Sequence, residues 1–216
     1  MTSAREFVPA GAGMDRLREA AAGCRGCDLY RDATQTVFGR GSAGARVVLV
    51  GEQPGDVEDQ RGLPFVGPAG HLLRRAVDEA GLAVPDLFIT NAVKHFRHTR
   101  TGKRRLHQTP DRSHVVACRP WLVAEFAQLR PKGVVVLGAT AARALLGPDF
   151  RITRSRGQVF PWPASAEVPE EFPEHDHAFL VATTHPSAVL RADNREIAYA
   201  ALVDDLRVVK RELDTR

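Results

Sequence analysis

The sequence predicts an α/β fold: a central four-stranded parallel twisted sheet flanked by helices, within a single domain covering 1–216. Three observations lead to it. Four short apolar runs, at 47–50 (VVLV), 87–90 (LFIT), 134–137 (VVVL) and 179–182 (FLVA), have the length and composition of strands buried on both faces. Stretches with helical spacing of apolar residues lie between them. Three of the runs are followed by residues with reactive or hydrogen-bonding side chains, and open α/β sheets hold ligands at the carboxyl ends of their strands.

Residues 14–22 (MDRLREAAA) are good helix formers with Leu17 and Ala21 on one face, and Gly23 stops them. Cys24-Arg-Gly-Cys27 follows. Alone it reads as half a metal site, a redox pair or two buried thiols, though not as a thioredoxin-type pair, because no strand precedes it. After the first run, 51–70 gathers Glu52, Gln53, Asp56, Glu58, Asp59 and Phe65 among Gly51, Pro54, Gly55, Gly62 and Gly67, a backbone of tight turns held close to something. Pro68 suits the first turn of a helix over 68–80, with Leu72, Leu73 and Val77 inward and Gly81 as its stop.

The second run ends in Asn91, which the strand-end rule points into the same crevice as Glu52. Segment 94–109 lacks apolar periodicity and carries Gly102, so it reads as an exposed loop. Thr109 and Pro110 then cap and open a helix that turns Val115, Val116, Cys118, Trp121, Leu122 and Phe126 inward. A short helix over 139–146 follows the third run. A small hairpin is expected over 151–160, turning at Arg156 and Gly157, and a surface loop over the Pro- and Glu-rich 161–176. His185 follows the fourth run, and 195–213 closes the chain as an amphipathic helix with Leu202, Leu206 and Val209 inward.

With 216 residues, 44% hydrophobic and 26% charged, the chain can bury a sizeable core. No apolar run approaches the roughly 18 residues of a membrane span, and the first residues lack a signal-like apolar core, so the expectation is a cytoplasmic monomer with no membrane partner. Three cysteines argue against a disulfide framework. The formal net charge is +4, but seven basic residues and one acid between Lys94 and Arg112 give that segment +6 and leave the remainder at −2. Such a basic stripe on a slightly acidic body is the footprint of phosphate-backbone binding.

Gly51-Glu-Gln-Pro-Gly55 with Phe65 in PFVGPAG, Asn91 in TNAVK and His185 in HPS stand in the order of the three active-site motifs of the uracil-DNA glycosylase superfamily. Over nearly the whole chain the sequence resembles the iron-sulfur branch called family 4. Gln53, where that family usually has Ala, and the insert Lys103-Arg-Arg-Leu-His107 resemble the narrower UdgX class, which becomes covalently attached to uracil-containing DNA through the histidine of that insert; Leu106 replaces the Ile common there. The resemblance implies a [4Fe-4S] cluster on Cys24, Cys27, Cys118 and, at the remaining cysteine position, His95, since imidazole also serves iron in Rieske centres.

What the resemblance implies for chemistry follows from the need to extract the base from the stack. Lys103, Arg104 and Arg105 would bind the DNA backbone. Phe65 would stack on uracil, Asn91 would read its O4 and N3 edge, and Glu58 would exclude the methyl of thymine; Gly51 and Gly55 would let the backbone approach the base. His185 would stabilise the departing base at O2, and a neutral His107 would attack C1′, with Glu52 and Gln53 orienting it and supporting the sugar cation. Two rivals are a conventional turnover glycosylase and a non-catalytic iron-sulfur DNA-binding protein.

Overall fold

The structure, a computed structural model, describes residues 3–162, 172 and 178–216. In chain order its elements are α1 (Met14–Ala21), β1 (Arg40–Gly41), β2 (Val47–Gly51), α2 (Asp56–Arg61), α3 (Pro68–Glu79), β3 (Leu87–Asn91), β4 (His98–Thr101), β5 (Arg104–His107), α4 (Arg112–Leu129), β6 (Gly133–Leu137), α5 (Ala139–Leu146), α6 (Ile152–Ser155), β7 (Val159–Pro161), β8 (Phe179–Thr183), α7 (Pro186–Leu190) and α8 (Arg195–Thr215).

Six strands form one mixed sheet in the order β1-β3-β2-β6-β8-β7, which corrects the expected four-stranded parallel sheet. Its interior strands β3, β2, β6 and β8 pair in parallel, and they coincide with the four apolar runs. The strands β1 and β7 add antiparallel edges. At two and three residues these edges are too short to carry a periodicity, and Pro161 is tolerated in β7 because an edge strand has one side without a ladder.

Alternation along the interior strands feeds two cores. On one face Val48, Val50, Val134, Val136, Leu180 and Ala182 pack with Leu17 of α1 and with Trp121, Leu122 and Phe126 of α4. On the other, Val47, Leu49, Val135, Leu137, Phe179 and Val181 pack with Leu73 and Val77 of α3 and with Leu202, Leu206 and Val209 of α8. Each such side chain removed from water contributes about 1.5 to 3 kcal/mol, so the strands are fixed from both sides. The chain passes from β2 to β3 on one side and then crosses to β6 on the other. That reversal opens a crevice at the carboxyl ends of β2 and β6.

Other expectations shift locally. The helix α4 begins at Arg112 with Asp111 as its cap, because Thr109 O and Asp111 Oδ1 both accept from the Arg97 guanidinium and the Asp111 amide donates to His114 Nδ1. Val116, expected inward, is exposed. Over 151–160 a helical turn, α6, and the edge strand β7 replace the hairpin, since Arg156 is held by Asp205 of α8 and Gly157 N donates to Ala182 O. The loop expected over 161–176 lies outside the described residues, apart from Pro161, Trp162 and Phe172.

The basic segment is a hairpin rather than an open loop. Strands β4 and β5 pair antiparallel with His98 opposite His107, turning at Gly102, whose φ of +60° suits glycine. Both faces are largely polar, which is why apolar patterning does not reveal it. Similarly, the acidic loop after β2 contains α2, whose Asp56, Glu58 and Asp59 sit in the first turn, where the helix dipole favours negative charge.

Candidate active site

A cavity of about 580 Å³ occupies the crevice, within the range of ordinary small-molecule sites. Its lining includes Glu52, Gln53, Gly55, Glu58, Phe65, Asn91, His107, Thr140 and His185. Residues far apart in sequence therefore converge here from the ends of four strands.

Gly51 lies directly against Asn91 and Phe65. A Cβ there would lie 2.4 Å from Asn91 Oδ1 and 2.6 Å from Phe65 Cζ, so a larger residue would displace both. Asn91 is buried, and its Oδ1 has no hydrogen-bond partner among the described residues. A buried acceptor left open in a cavity costs stability unless a ligand donor completes it. Phe65 adopts a left-handed backbone at φ 54°, a strained setting for an aromatic residue, and its ring lies 6.0 Å from that of His185. Glu58 is buried and accepts from Gly67 N at 2.8 Å. Its other carboxylate oxygen packs so closely on Gly55 that a Cβ there would come within 2.7 Å.

His185 caps α7, and the backbone N–H of Ser187 donates to its Nδ1 at 3.1 Å. With Nδ1 accepting, the proton of a neutral ring belongs on Nε2. Burial pushes His185 down to about 4, with Glu52 opposing, and His107 and Arg191 adding to, the shift. The ring is therefore a neutral donor near neutral pH.

Glu52 and His107 meet at the cavity mouth, Nε2 standing 3.2 Å from Oε1. Burial of Glu52 favours its neutral form, but hydrogen bonds from His107 and Thr140 and the nearby imidazoles outweigh it and hold the carboxyl below the usual range. Gln53 does not reach toward the cavity centre. Its Nε2 donates to Arg97 O and Gln108 O, and its Oε1 accepts from Arg97 N, so it fastens both ends of the hairpin that carries His107.

The three basic residues of the insert separate into two kinds. Lys103 and Arg104 are exposed on the hairpin. Arg105 is instead committed to α2: its guanidinium donates to Asp56 Oδ1 at 2.5 Å and to Asp59 Oδ2 at 2.6 Å. Lys94 is also withdrawn from the basic surface, being fully buried with Nζ donating to Glu125, Thr90 Oγ1 and Asn91 O. Charge counting overstates the surface charge of the segment because it cannot see these pairings.

The expected iron-sulfur cluster is not supported. Among the described residues no group of three or more His, Cys, Asp or Glu stands in an arrangement able to hold a metal ion. Three of the four candidates have other partners. Cys24 Sγ accepts from Trp121 Nε1, Cys118 Sγ accepts from Lys94 N, and His95 Nε2 pairs with Thr36 Oγ1. Burial raises the Cys27 thiol and pushes Cys118 up to about 12. These cysteines are packed into the core beside α1 and α4.

Thr140, on α5, was missed by sequence reading, yet its hydroxyl donates to Glu52 Oε2. The strand-end rule carries the signal: applied to the third apolar run as to the others, it points directly at Gly138, Ala139 and Thr140.

The pattern defining the uracil DNA glycosylase superfamily matches residues 38–207. The chain is 34% identical to a type-4 uracil-DNA glycosylase of Thermotoga maritima, over 88% of this chain and 90% of that protein. It is 35% identical to the type-4 enzyme of Pyrobaculum aerophilum, over 82% and 85%, and 36% identical to that of Archaeoglobus fulgidus, over 82% of each. With these relatives and no metal-holding group among the described residues, the narrower UdgX-type, iron-sulfur assignment is corrected to family-4 glycosylase homology.

Proposed function

Because the chain belongs to the uracil DNA glycosylase superfamily, we propose that it excises uracil from DNA and that His107 captures the sugar left behind. Type-4 uracil-DNA glycosylase homology supports the excision. The observation that carries the capture is the pairing of His107 Nε2 with Glu52 Oε1 at 3.2 Å, on the rim of the cavity that holds Asn91 and His185.

The extruded uracil stacks on Phe65, and Asn91 supplies the acceptor for its N3–H and a donor for O4. Cytosine presents the opposite pattern and leaves those groups unpaired. Glu58, lining the same cavity, excludes the methyl of thymine. As the bond from C1′ to the base breaks, its electron pair leaves with uracil, and the Nε2–H of neutral His185 stabilises the anion at O2. The sugar becomes an oxocarbenium ion supported by ionised Glu52. An imidazole lone pair of His107 then forms a bond to C1′, and the surplus ring proton passes to Glu52. Lys103 and Arg104 bind backbone phosphates, while Arg105 and Gln53 hold the hairpin in place.

A second reading lets water attack C1′, with repeated turnover. The relatives favour it, since each is named a type-4 uracil-DNA glycosylase. Mixing protein with a uracil-containing oligonucleotide and running a denaturing gel separates the two: a shifted protein–DNA band supports capture. Free abasic DNA exceeding one equivalent of protein selects the hydrolytic reading.

A further inference from the structure

A side-chain contact joins the ends of the two strands that flank the crevice. Glu52 leaves the end of β2, and Thr140 is the second residue of α5, just after β6. The Thr140 hydroxyl donates to Glu52 Oε2, and the remaining oxygen, Oε1, is the one facing His107. The carboxylate is thus gripped at one oxygen by the first turn of α5 and presents the other to the hairpin.

We propose that Thr140 is a positioning residue, whose hydroxyl holds the Glu52 carboxylate in the orientation that faces His107. This deepens the reading in which His107 attacks C1′, and it rests on that reading. Glu52 has rotatable bonds between backbone and carboxylate, and a second contact fixes the direction and plane in which the carboxylate meets the imidazole. A β-branched Thr restricts its own χ1, which pre-aims the hydroxyl. The turn before it is equally constrained: Gly138 has φ +90°, and a Cβ there would come within 2.9 Å of His185 Cβ. The donor to Glu52 and the ring of His185 are therefore placed by one segment. Donation to an ionised carboxylate also favours the charged form that must accept the ring proton.

Thr140→Val removes the donor with little change of shape, and Thr140→Ser restores it. With protein in excess over a uracil oligonucleotide, uracil release and adduct formation are timed separately by rapid quench from about pH 3 to 8, a range that spans the carboxylate as well as the imidazole. Thr140→Val should slow adduct formation by about tenfold or more and move the acid limb of its pH profile upward, because Glu52 loses a contact that keeps it ionised. Binding of a cleavage-resistant 2′-fluoro-deoxyuridine oligonucleotide should be unchanged, and Thr140→Ser should recover both rate and profile. Should Thr140→Val fold poorly, Thr140→Ala repeats the test without added bulk. A parental adduct rate and pH profile in the Val or Ala variant overturns the assignment, as does a loss that Ser fails to rescue. Unsubstituted protein that releases uracil without forming any adduct overturns the His107 reading instead.

Discussion

Arg105 donates to Asp59 Oδ2 at 2.6 Å, and Asp59 is fully buried in α2. The hairpin that bears His107 is thereby fastened to the element that follows β2. Arg105→Ala leaves Asp59 with the Thr34 N–H as a remaining donor, at a cost of about 3 kcal/mol for a buried carboxylate that has lost its ion-pair partner. The thermal midpoint should fall. Adduct formation should fall more than uracil release, because only the former needs His107 in place; equal losses in both would mean Arg105 acts on folding alone.

Lys103 and Arg104 should behave differently. Each exposed cation that binds a phosphate adds about one unit to the dependence of log affinity on log salt. Replacing either with Ala should weaken oligonucleotide binding and reduce that slope by about one. A slope unchanged in both variants would show that the hairpin does not contact the DNA backbone.

Asn91 Oδ1 has no hydrogen-bond partner among the described residues, and in the proposed reading the base completes it. Asn91→Asp presents a different edge, so uracil excision should drop and discrimination against cytosine should weaken, measured by competition between the two oligonucleotides. Phe65→Ala should cost about 1 to 3 kcal/mol of substrate binding, the usual value of a lost base stack. Unaltered selectivity in Asn91→Asp would remove Asn91 as the reader.

His185 gives stability a pH dependence of definite sign. Burial lowers it to about 4, whereas in the unfolded chain an imidazole titrates near ~6.5. Between these values the unfolded state binds a proton that the folded state refuses, so its stability penalty is absent above ~6.5 and grows as pH falls toward 4. Denaturant titrations should show stability declining from about pH 7 to 5, and His185→Gln should flatten that decline. A slope identical in the variant would mean that His185 is not held neutral by the fold.

The apolar runs made the interior strands legible because burial on both faces writes a continuous hydrophobic signal. Glu52, Asn91 and His185 could be placed from the strand-end rule for the same reason. The edges β1 and β7 were not legible, being held by a neighbour's ladder rather than by their own composition. Nor was the hairpin over His98–Thr101 and Arg104–His107, whose shape depends on Arg105, Gln53 and Arg97 reaching partners distant in sequence. The cysteines misled in the opposite direction. Cys24 and Cys27 have the spacing of half a metal site and the family resemblance added Cys118 and His95, but neither signal reports that Trp121 and the Lys94 amide engage Cys24 and Cys118.

The covalent step is tested most directly by peptide mapping. Protein incubated with a uracil-containing oligonucleotide, then denatured and digested with protease and nuclease, should yield one modified peptide carrying deoxyribose on His107. His107→Ser should yield none and should release uracil to leave an alkali-labile abasic site. Deoxyribose on a peptide lacking His107, or an undiminished adduct in His107→Ser, would contradict it.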